Sequence, residues 1–435
     1  MERPTLIAGA GLAGLACAHQ LQSKYILIEK NDRVGGVARS FDRNGFLFDC
    51  TGHWLHLRDP DIKEWINQLL PEGMLEVSRR SEIYSHQVRT PYPFQANTYG
   101  LPEQVVKECV DGYFAAREKY GDGKNTAAKT FEDFILQRMG EGIAKHFMVP
   151  YNSKLWTVHP KEMLAEWCGR FVPTPEPDDV LRGSKPPDGN VKALGYNTKL
   201  LYPKTGGIGT LSQRMATSLK EKPRLATALT AIDWREGKAY LNDKDELNYG
   251  RLVSTLPLPI LVGLLNDPPE DVLQAATRLR CASVTYWDVG VAGENNPEDA
   301  HWTYFPEAHL PFYRVGSASA AFAYSAPENH RSYYVETSHP RGTPCPHDED
   351  AILNGLRQVG YLSANEEPLF MQRSTIEYAY VIMDQHYGQA RAMIHAWLGE
   401  HNIYSVGRYG DWRYDSMEGA MLQGIDCARK ILETS

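Results

Sequence analysis

The chain has 435 residues, a length that admits about three domains of roughly 150 residues each and a large buried core. Its 46 Lys and Arg against 54 Asp and Glu give a formal charge of −8, and no basic run interrupts that balance, so a nucleic-acid partner is excluded. The seven cysteines are odd in number and never spaced Cys-x-x-Cys, which excludes a disulfide framework or a zinc ribbon and points to reduced thiols in the cytoplasm; the longest uncharged apolar run after the N-terminus, LPLPILVGLL, falls well short of the roughly 18 residues of a membrane span.

The first predicted elements lie in TLIAGAGLAGLACAHQLQ (5–22) and YILIEK (25–30). A short apolar strand runs into Gly9-x-Gly11-x-x-Gly14 and a helix, and a second apolar strand ends at Glu29. Gly9 permits the tight turn, Gly11 lets backbone approach a pyrophosphate at the helix N-terminus, and Gly14 allows helix to pack closely on strand. Glu29 stands where an acid takes ribose hydroxyls. This is a dinucleotide site, which accounts for the apolar N-terminus better than a secretory leader does.

After the strand FLFDC comes TGHWLH (51–56), whose His53 and His56 lack further ligands at metal spacing, so no metal is expected. PYPFQANTYGLP (91–102) is a poor helix and a poor central strand because of its three prolines; it is a rigid, uncharged, aromatic loop around Gln95. LPEQVVKECVDGYFAAREKYG (101–121) carries Val105, Val106, Cys109, Val110, Tyr113 and Phe114 on one helical face, and Thr130 with Asp133 forms a capping box for TFEDFILQRM (130–139). In VPYNSKLWTVHP (149–160), Tyr151 and Trp156 flank a Pro-bounded turn. A Gly-rich turn at 202–222 leads into a helix, with no apolar strand leading directly into it and no acid at the right distance after it, so it is not read as a second nucleotide site. Residues 263–399 carry short alternating runs between Pro and Gly turns, which reads as a mostly antiparallel sheet. The C-terminal IYSVGRYGDWRYDSMEGAMLQGIDCARKIL (403–432) is a strand, a loop with Arg408, and a helix rich in small residues.

The fold class expected is therefore α/β. A Rossmann-like dinucleotide domain is assembled from 1–72, 204–262 and 400–435, with a helical insertion at 100–172 and an antiparallel substrate sheet from 73–99, 173–203 and 263–399.

Glu29-x-x-x-Arg33-x-Gly35-Gly36 resembles the extended fingerprint of flavoproteins of the glutathione-reductase and amine-oxidase kind, and the C-terminal segment resembles their second FAD motif. FAD is accordingly expected, held by Gly9, Gly11, Gly14, Glu29, Arg33, Gly36, Gly207, Arg408 and Met417. Five further segments resemble the UDP-galactopyranose mutase family: PYPFQAN, TGHWLH, PFYR (311–314), YNSKLW and GRYGDWRY (407–414). That resemblance implies a redox-neutral mutase interconverting pyranose and furanose forms of a nucleotide sugar, UDP-galactose by default, through a covalent sugar adduct at N5 of reduced FAD. It implies that Gln95, Tyr151 and Trp156 hold the nucleoside and that Arg314 and Arg170 clamp the diphosphate, with Arg182 the rival for Arg170. Asn197 and His53 lie on the sugar and flavin side, and Tyr313, Tyr378, Tyr414 and Tyr380 pack about the diphosphate and sugar. His53, Arg170 and Arg314 are thus the catalytic candidates. The partners implied are the nucleotide sugar and an external reductant such as NAD(P)H or a reductase, with a homo-oligomer possible. The chain departs from the family at YAYVIMD (378–384), where bacterial members have a YYP turn. The rival class is a net oxidase of the amine-oxidase or protoporphyrinogen-oxidase kind.

Overall fold

The computed structural model describes residues 3–122, 128–186, 199–296 and 298–434. A four-stranded parallel sheet, in the order Ile403–Ser405, Arg251–Ser254, Thr5–Ala8, Tyr25–Ile28, collects its strands from both ends and the middle of the chain. Thr5, Leu6, Ile7 and Ala8 are all buried, as a continuous apolar run covered by helices on both faces must be. One face is covered by Leu12–Leu21 and Met417–Glu433, which lie against each other and share a core with Gly209–Ser218. Their closeness depends on Gly424, where a Cβ would stand 2.1 Å from the Ala13 carbonyl oxygen.

A second, seven-stranded sheet runs Phe370–Ile382, Arg280–Ala292, His330–Pro340, Arg314–Gly316, Trp302–Tyr304, Ser81–Ser85, Val88–Pro91, antiparallel throughout except where Trp302–Tyr304 lies parallel to Ser81–Ser85. Its first two strands break register between Ala282 and Val284: Tyr380 faces Ala282 and Ile376 faces Val284, leaving Glu377, Tyr378 and Ala379 opposite Ser283. Such a bulge re-aims side chains, and all five residues from Ile376 to Tyr380 line a cavity of about 1300 Å³.

The helical region contains Glu103–Tyr120, which buries Val105, Cys109 and Tyr113, and Phe131–Ile143, whose Thr130–Asp133 capping box is fully formed. The turn expected around YNSKLW is instead a helix, Val149–Trp156, because Pro150 sits in its first turn, where the missing N–H costs nothing. Three helices also interrupt the span read as sheet, Glu270–Thr277, Glu349–Gln358 and Tyr387–Glu400; the last buries Ala390, Ile394 and Leu398 at a four-residue spacing. Residues 229–248 form a separate antiparallel sheet of three strands, Leu229–Asp233, Lys238–Leu241 and Asp245–Asn248.

The contact at Gly424 is testable. Gly424→Ala should destabilise the protein by about 1–3 kcal/mol, as overpacking does, read as a lower denaturant midpoint.

Candidate active site

A single cavity of about 1300 Å³ runs from Gly9 and Glu29 past Gly36 and His53 to Arg314, Tyr380 and Arg408. Pockets for one small ligand occupy about 300–1,000 Å³, so this one has room for a dinucleotide and a second ligand beside it. At the nucleotide end, Gly9 has φ +102°, a conformation that L side chains avoid, and Gly11 caps the helix Leu12–Leu21 without a side chain, leaving its first N–H groups open to an anion. A Cβ on Gly11 would lie 3.9 Å from the Gly36 Cα, so two glycine backbones form the cradle. Buried Glu29 accepts from Ala10 N–H at 2.9 Å through one oxygen and from Asn31 through the other, which fixes its carboxylate at the strand end. Anion-ready N–H groups, a glycine cradle and a fixed carboxylate fit the pyrophosphate and ribose of FAD.

At the other end the turn Thr51–Gly52–His53 rests on Tyr334, a fully enclosed ring: a Cβ on Gly52 would meet its hydroxyl at 2.4 Å, and one on Gly316 would meet Cζ at 1.9 Å. The His53 side chain lines the cavity with Nδ1 buried and without a hydrogen-bond partner among the described residues. Burial and the nearby Arg408 and Arg314 cations lower its pKa to about 4, so it is neutral at pH 7. Arg314 stands directly across from Glu336 in adjacent strands. Its Nε donates to Oε1 at 3.0 Å and its Nη2 to Oε1 at 2.8 Å and Oε2 at 2.7 Å. Burial disfavours the Arg314 charge, but Glu336 together with the nearby Tyr380, Tyr313 and Tyr304 outweighs burial and holds its pKa above the usual value. The Tyr313 hydroxyl also donates to Glu336 and lies 3.5 Å from the Tyr380 hydroxyl.

Arg408 is held differently. Its Nη1 donates to the Asp415 carbonyl at 2.6 Å and its Nη2 to the Ala379 carbonyl at 3.2 Å, and its guanidinium lies 4.7 Å from the Tyr414 ring centre and 5.7 Å from that of Tyr380. No carboxylate among the described residues is at ion-pair distance from it, so its positive charge is left over for a ligand.

Residues 12–432 match the profile of the family described as flavin containing amine oxidoreductase. The chain belongs to that family. The solved structure of reduced UDP-galactopyranose mutase superposes with a TM-score of 0.92 at 26% identity, covering 100% of this chain and 95% of that one. A protein named a probable UDP-galactopyranose mutase, from Klebsiella pneumoniae, is 26% identical over 175 residues, 38% of this chain and 44% of that protein. A 4,4'-diapolycopene oxygenase from Methylomonas sp is 23% identical over 338 residues, 70% of this chain and 66% of its own length. The chain thus spans less than two thirds of each of these two curated relatives. The resemblance to UDP-galactopyranose mutase read from the loops is borne out, and so is the FAD-binding α/β fold.

Within this amine oxidoreductase framework, Gly9, Gly11, Glu29, Gly36, His53, Tyr313, Arg314, Tyr378, Tyr380, Arg408, Tyr414 and Met417 line the one cavity. Gly14 lies behind it, where a Cβ would stand 2.0 Å from the Gly9 carbonyl oxygen. Arg33 is exposed and paired with Asp32 at 3.1 Å, away from the cavity lining. Gly207 packs against Ser40 and Asp49, a buried carboxylate that accepts from Tyr202 and the Ile208 N–H. Gln95 is 3% exposed, and its Nε2 donates to the Pro173 carbonyl at 2.6 Å rather than facing the cavity. Tyr151 stacks on Phe147 and Trp156 packs edge-on to Tyr380 and Tyr414, so both stand behind the cavity wall. Arg182 pairs with Asp179 at 2.5 Å outside the lining. Asn197 and the side chain of Arg170 lie outside the described residues.

Sequence reading missed Glu336, Tyr304 and the pair Arg79–Tyr92, which all line the cavity, with the Arg79 guanidinium 4.5 Å from the Tyr92 ring centre. Glu336 had one signal, a lone acid inside the apolar strand SYYVETS (332–338); its pairing with Arg314 depends on strand register. Tyr92 stands in the same rigid loop, three residues before Gln95.

The buried, neutral His53 gives a pH-dependent stability. Its pKa is about 4 in the folded chain against 6.5 as a free side chain, so between those values the unfolded chain takes up a proton that the folded chain refuses. Stability is therefore unaffected above about pH 6.5 and falls as the pH drops toward 4. His53→Gln should lose less stability over that interval than the parent, by up to about 3 kcal/mol, in urea denaturation at the two pH values.

Proposed function

We propose that the protein is an FAD-dependent mutase that interconverts the pyranose and furanose forms of a nucleotide-diphosphate sugar, with UDP-galactopyranose and UDP-galactofuranose as the default pair. The observation that carries this reading is the cavity wall beyond the cradle, where Arg314 and Arg408 stand among Tyr304, Tyr313, Tyr380 and Tyr414 next to neutral His53. An aromatic cleft with guanidinium groups suits a diphosphate and the sugar attached to it, and an amine substrate would find no use for this cationic wall. The full-length likeness to UDP-galactopyranose mutase supports the same reading.

Reduced flavin, when bound, would supply a nucleophilic nitrogen, N5, for redox-neutral chemistry at the anomeric carbon. The chain's own residues do the rest. Gly9, Gly11 and Gly36 give backbone access to the cofactor pyrophosphate, and Glu29 takes its ribose. His53, uncharged, offers a hydrogen bond to the sugar without repelling the two arginines. Arg314 and Arg408, joined in this proposal by Arg170, receive the departing diphosphate and keep it within reach for return. The tyrosines exclude water, which would otherwise hydrolyse the sugar. Gln95, Tyr151 and Trp156 support this wall from behind. The proposal includes an external reductant such as NAD(P)H or a reductase, needed for activation and not for each turnover, a cytoplasmic setting, and a homo-oligomer as an open state.

A second reading, a net oxidase, is favoured by the oxygenase relative and by the family's amine oxidoreductases. Anaerobic incubation of dithionite-reduced protein with nucleotide sugars separates the two. Ring-contracted product and a sugar–flavin conjugate trapped by cyanoborohydride are expected; turnover only with oxidised flavin, with peroxide release, would replace the mutase by the oxidase. Arg314→Ala should lower kcat/KM by about 10²-fold or more while the flavin absorbance of the purified protein stays at full occupancy.

A further inference from the structure

Arg314 presents a puzzle as a clamp. Two of its three nitrogens are spent on Glu336, a carboxylate 1% exposed, and only Nη1 lacks a partner among the described residues. A guanidinium and a carboxylate locked together carry no net charge, so at any distance beyond the pair itself the attraction for an anion is largely cancelled. Arg408, held by carbonyls, rings and the Tyr409 hydroxyl and with no carboxylate at ion-pair distance among the described residues, keeps its full charge. The two arginines on the wall are therefore unequal, one free and one neutralised.

Neutralising a cation at an anion site wastes affinity unless weaker binding is useful. In the proposed reaction it is useful, because a diphosphate that leaves and comes back within each turnover, and then departs as product, must not be held too hard. We propose that Glu336 is the counter-ion that sets how tightly the cavity holds a nucleoside diphosphate. It aims Arg314 so that the Nη1 edge meets the ligand, and it cancels enough of the charge for the diphosphate to be released. The Tyr313 hydroxyl donates to the same carboxylate, which holds Glu336 in place. Glu336 is thus a positioning residue that acts through Arg314. The inference rests on the mutase reading for its purpose, while its charge arithmetic concerns any diphosphate in this cavity.

The sign of the effect separates this role from ordinary structural support. Loss of a merely structural residue weakens ligand binding, whereas loss of a counter-ion strengthens it. Calorimetric titration of the FAD-loaded protein with UDP and with inorganic pyrophosphate should show Glu336→Gln binding both about tenfold tighter than the parent, with uridine unchanged. Glu336→Asp, which keeps the charge, should stay within about threefold of the parent. With a nucleotide sugar that is turned over, kcat and KM should fall together in Glu336→Gln, as slow release requires. Equal or weaker binding of UDP and pyrophosphate in Glu336→Gln would overturn the proposal.

A buried arginine deprived of its partner threatens folding, so the charge-balanced double variant Arg314→Gln/Glu336→Gln completes the cycle. Its affinity for UDP should remain within a few-fold of the parent and exceed that of Arg314→Gln alone, in which Glu336 faces the anion uncompensated. A double variant as weak as Arg314→Gln alone overturns the proposal independently of how the single Glu336 variant behaves. If pyrophosphate tightens as stated and no nucleotide sugar is turned over, the counter-ion stands and the mutase reading falls; mutase turnover without tightening has the opposite meaning.

Discussion

Keeping positive charge out of water beside a deep ligand cleft is the constraint around which this molecule is arranged. A lone guanidinium surrounded by protein loses its hydration and must recover that free energy from its neighbours. The chain meets the requirement in three ways at once. Arg314 faces Glu336 across adjacent strands, Arg408 spends its donors on two carbonyls and lies against ring faces, and His53 stays uncharged between them. Each solution fixes a larger element. The first requires the register of the seven-stranded sheet, and the second requires the bulge that leaves Ala379 within reach of Arg408.

The nucleotide half of the cavity was legible in the sequence because its grammar is local. Three glycines within six residues and an acid at the next strand end state both the turn and the ribose contact, and Gly9, Gly11 and Glu29 lie where that spacing puts them. The other half is written in strand register, which pairs residues 22 positions apart such as Arg314 and Glu336, and no local pattern encodes it. Gln95 misled for a related reason. Its uncharged aromatic loop has the composition of a ligand wall, yet the amide satisfies the backbone of residue 173, and the neighbouring Tyr92 is the one that reaches the cavity. The helix Tyr387–Glu400 escaped notice because it follows a long strand with scarcely a break, so the alternation before it masked the four-residue spacing within it.

The parallel sheet carries a second consequence for how the protein holds together. Its central strand, Thr5–Ala8, has as neighbours Tyr25–Ile28, close in sequence, and Arg251–Ser254, nearly 250 residues away, with Ile403–Ser405 beyond. Much of the chain must be in place before the sheet is complete, and contacts of such long separation fold slowly. Gly9, Glu29, Thr255 and Gly407, which come from or follow these strands, line one cavity, so a dinucleotide held there would tie the distant segments together and its binding would favour the complete fold through linkage.

Tyr334 packs against two separate segments beside the cleft. Its ring fills the space that a methyl group would need on Gly52, in the turn before His53, and on Gly316, two residues after Arg314. The three positions behave as a lock with one bolt. Either glycine can acquire a side chain only after the ring has been trimmed, and a trimmed ring opens a void beneath both the histidine turn and the arginine strand. In the divergence of such a chain, these three sites are therefore expected to change as a set, through an intermediate that is less stable than either end, which makes this corner of the cleft slow to drift even where the residues around it are free to vary.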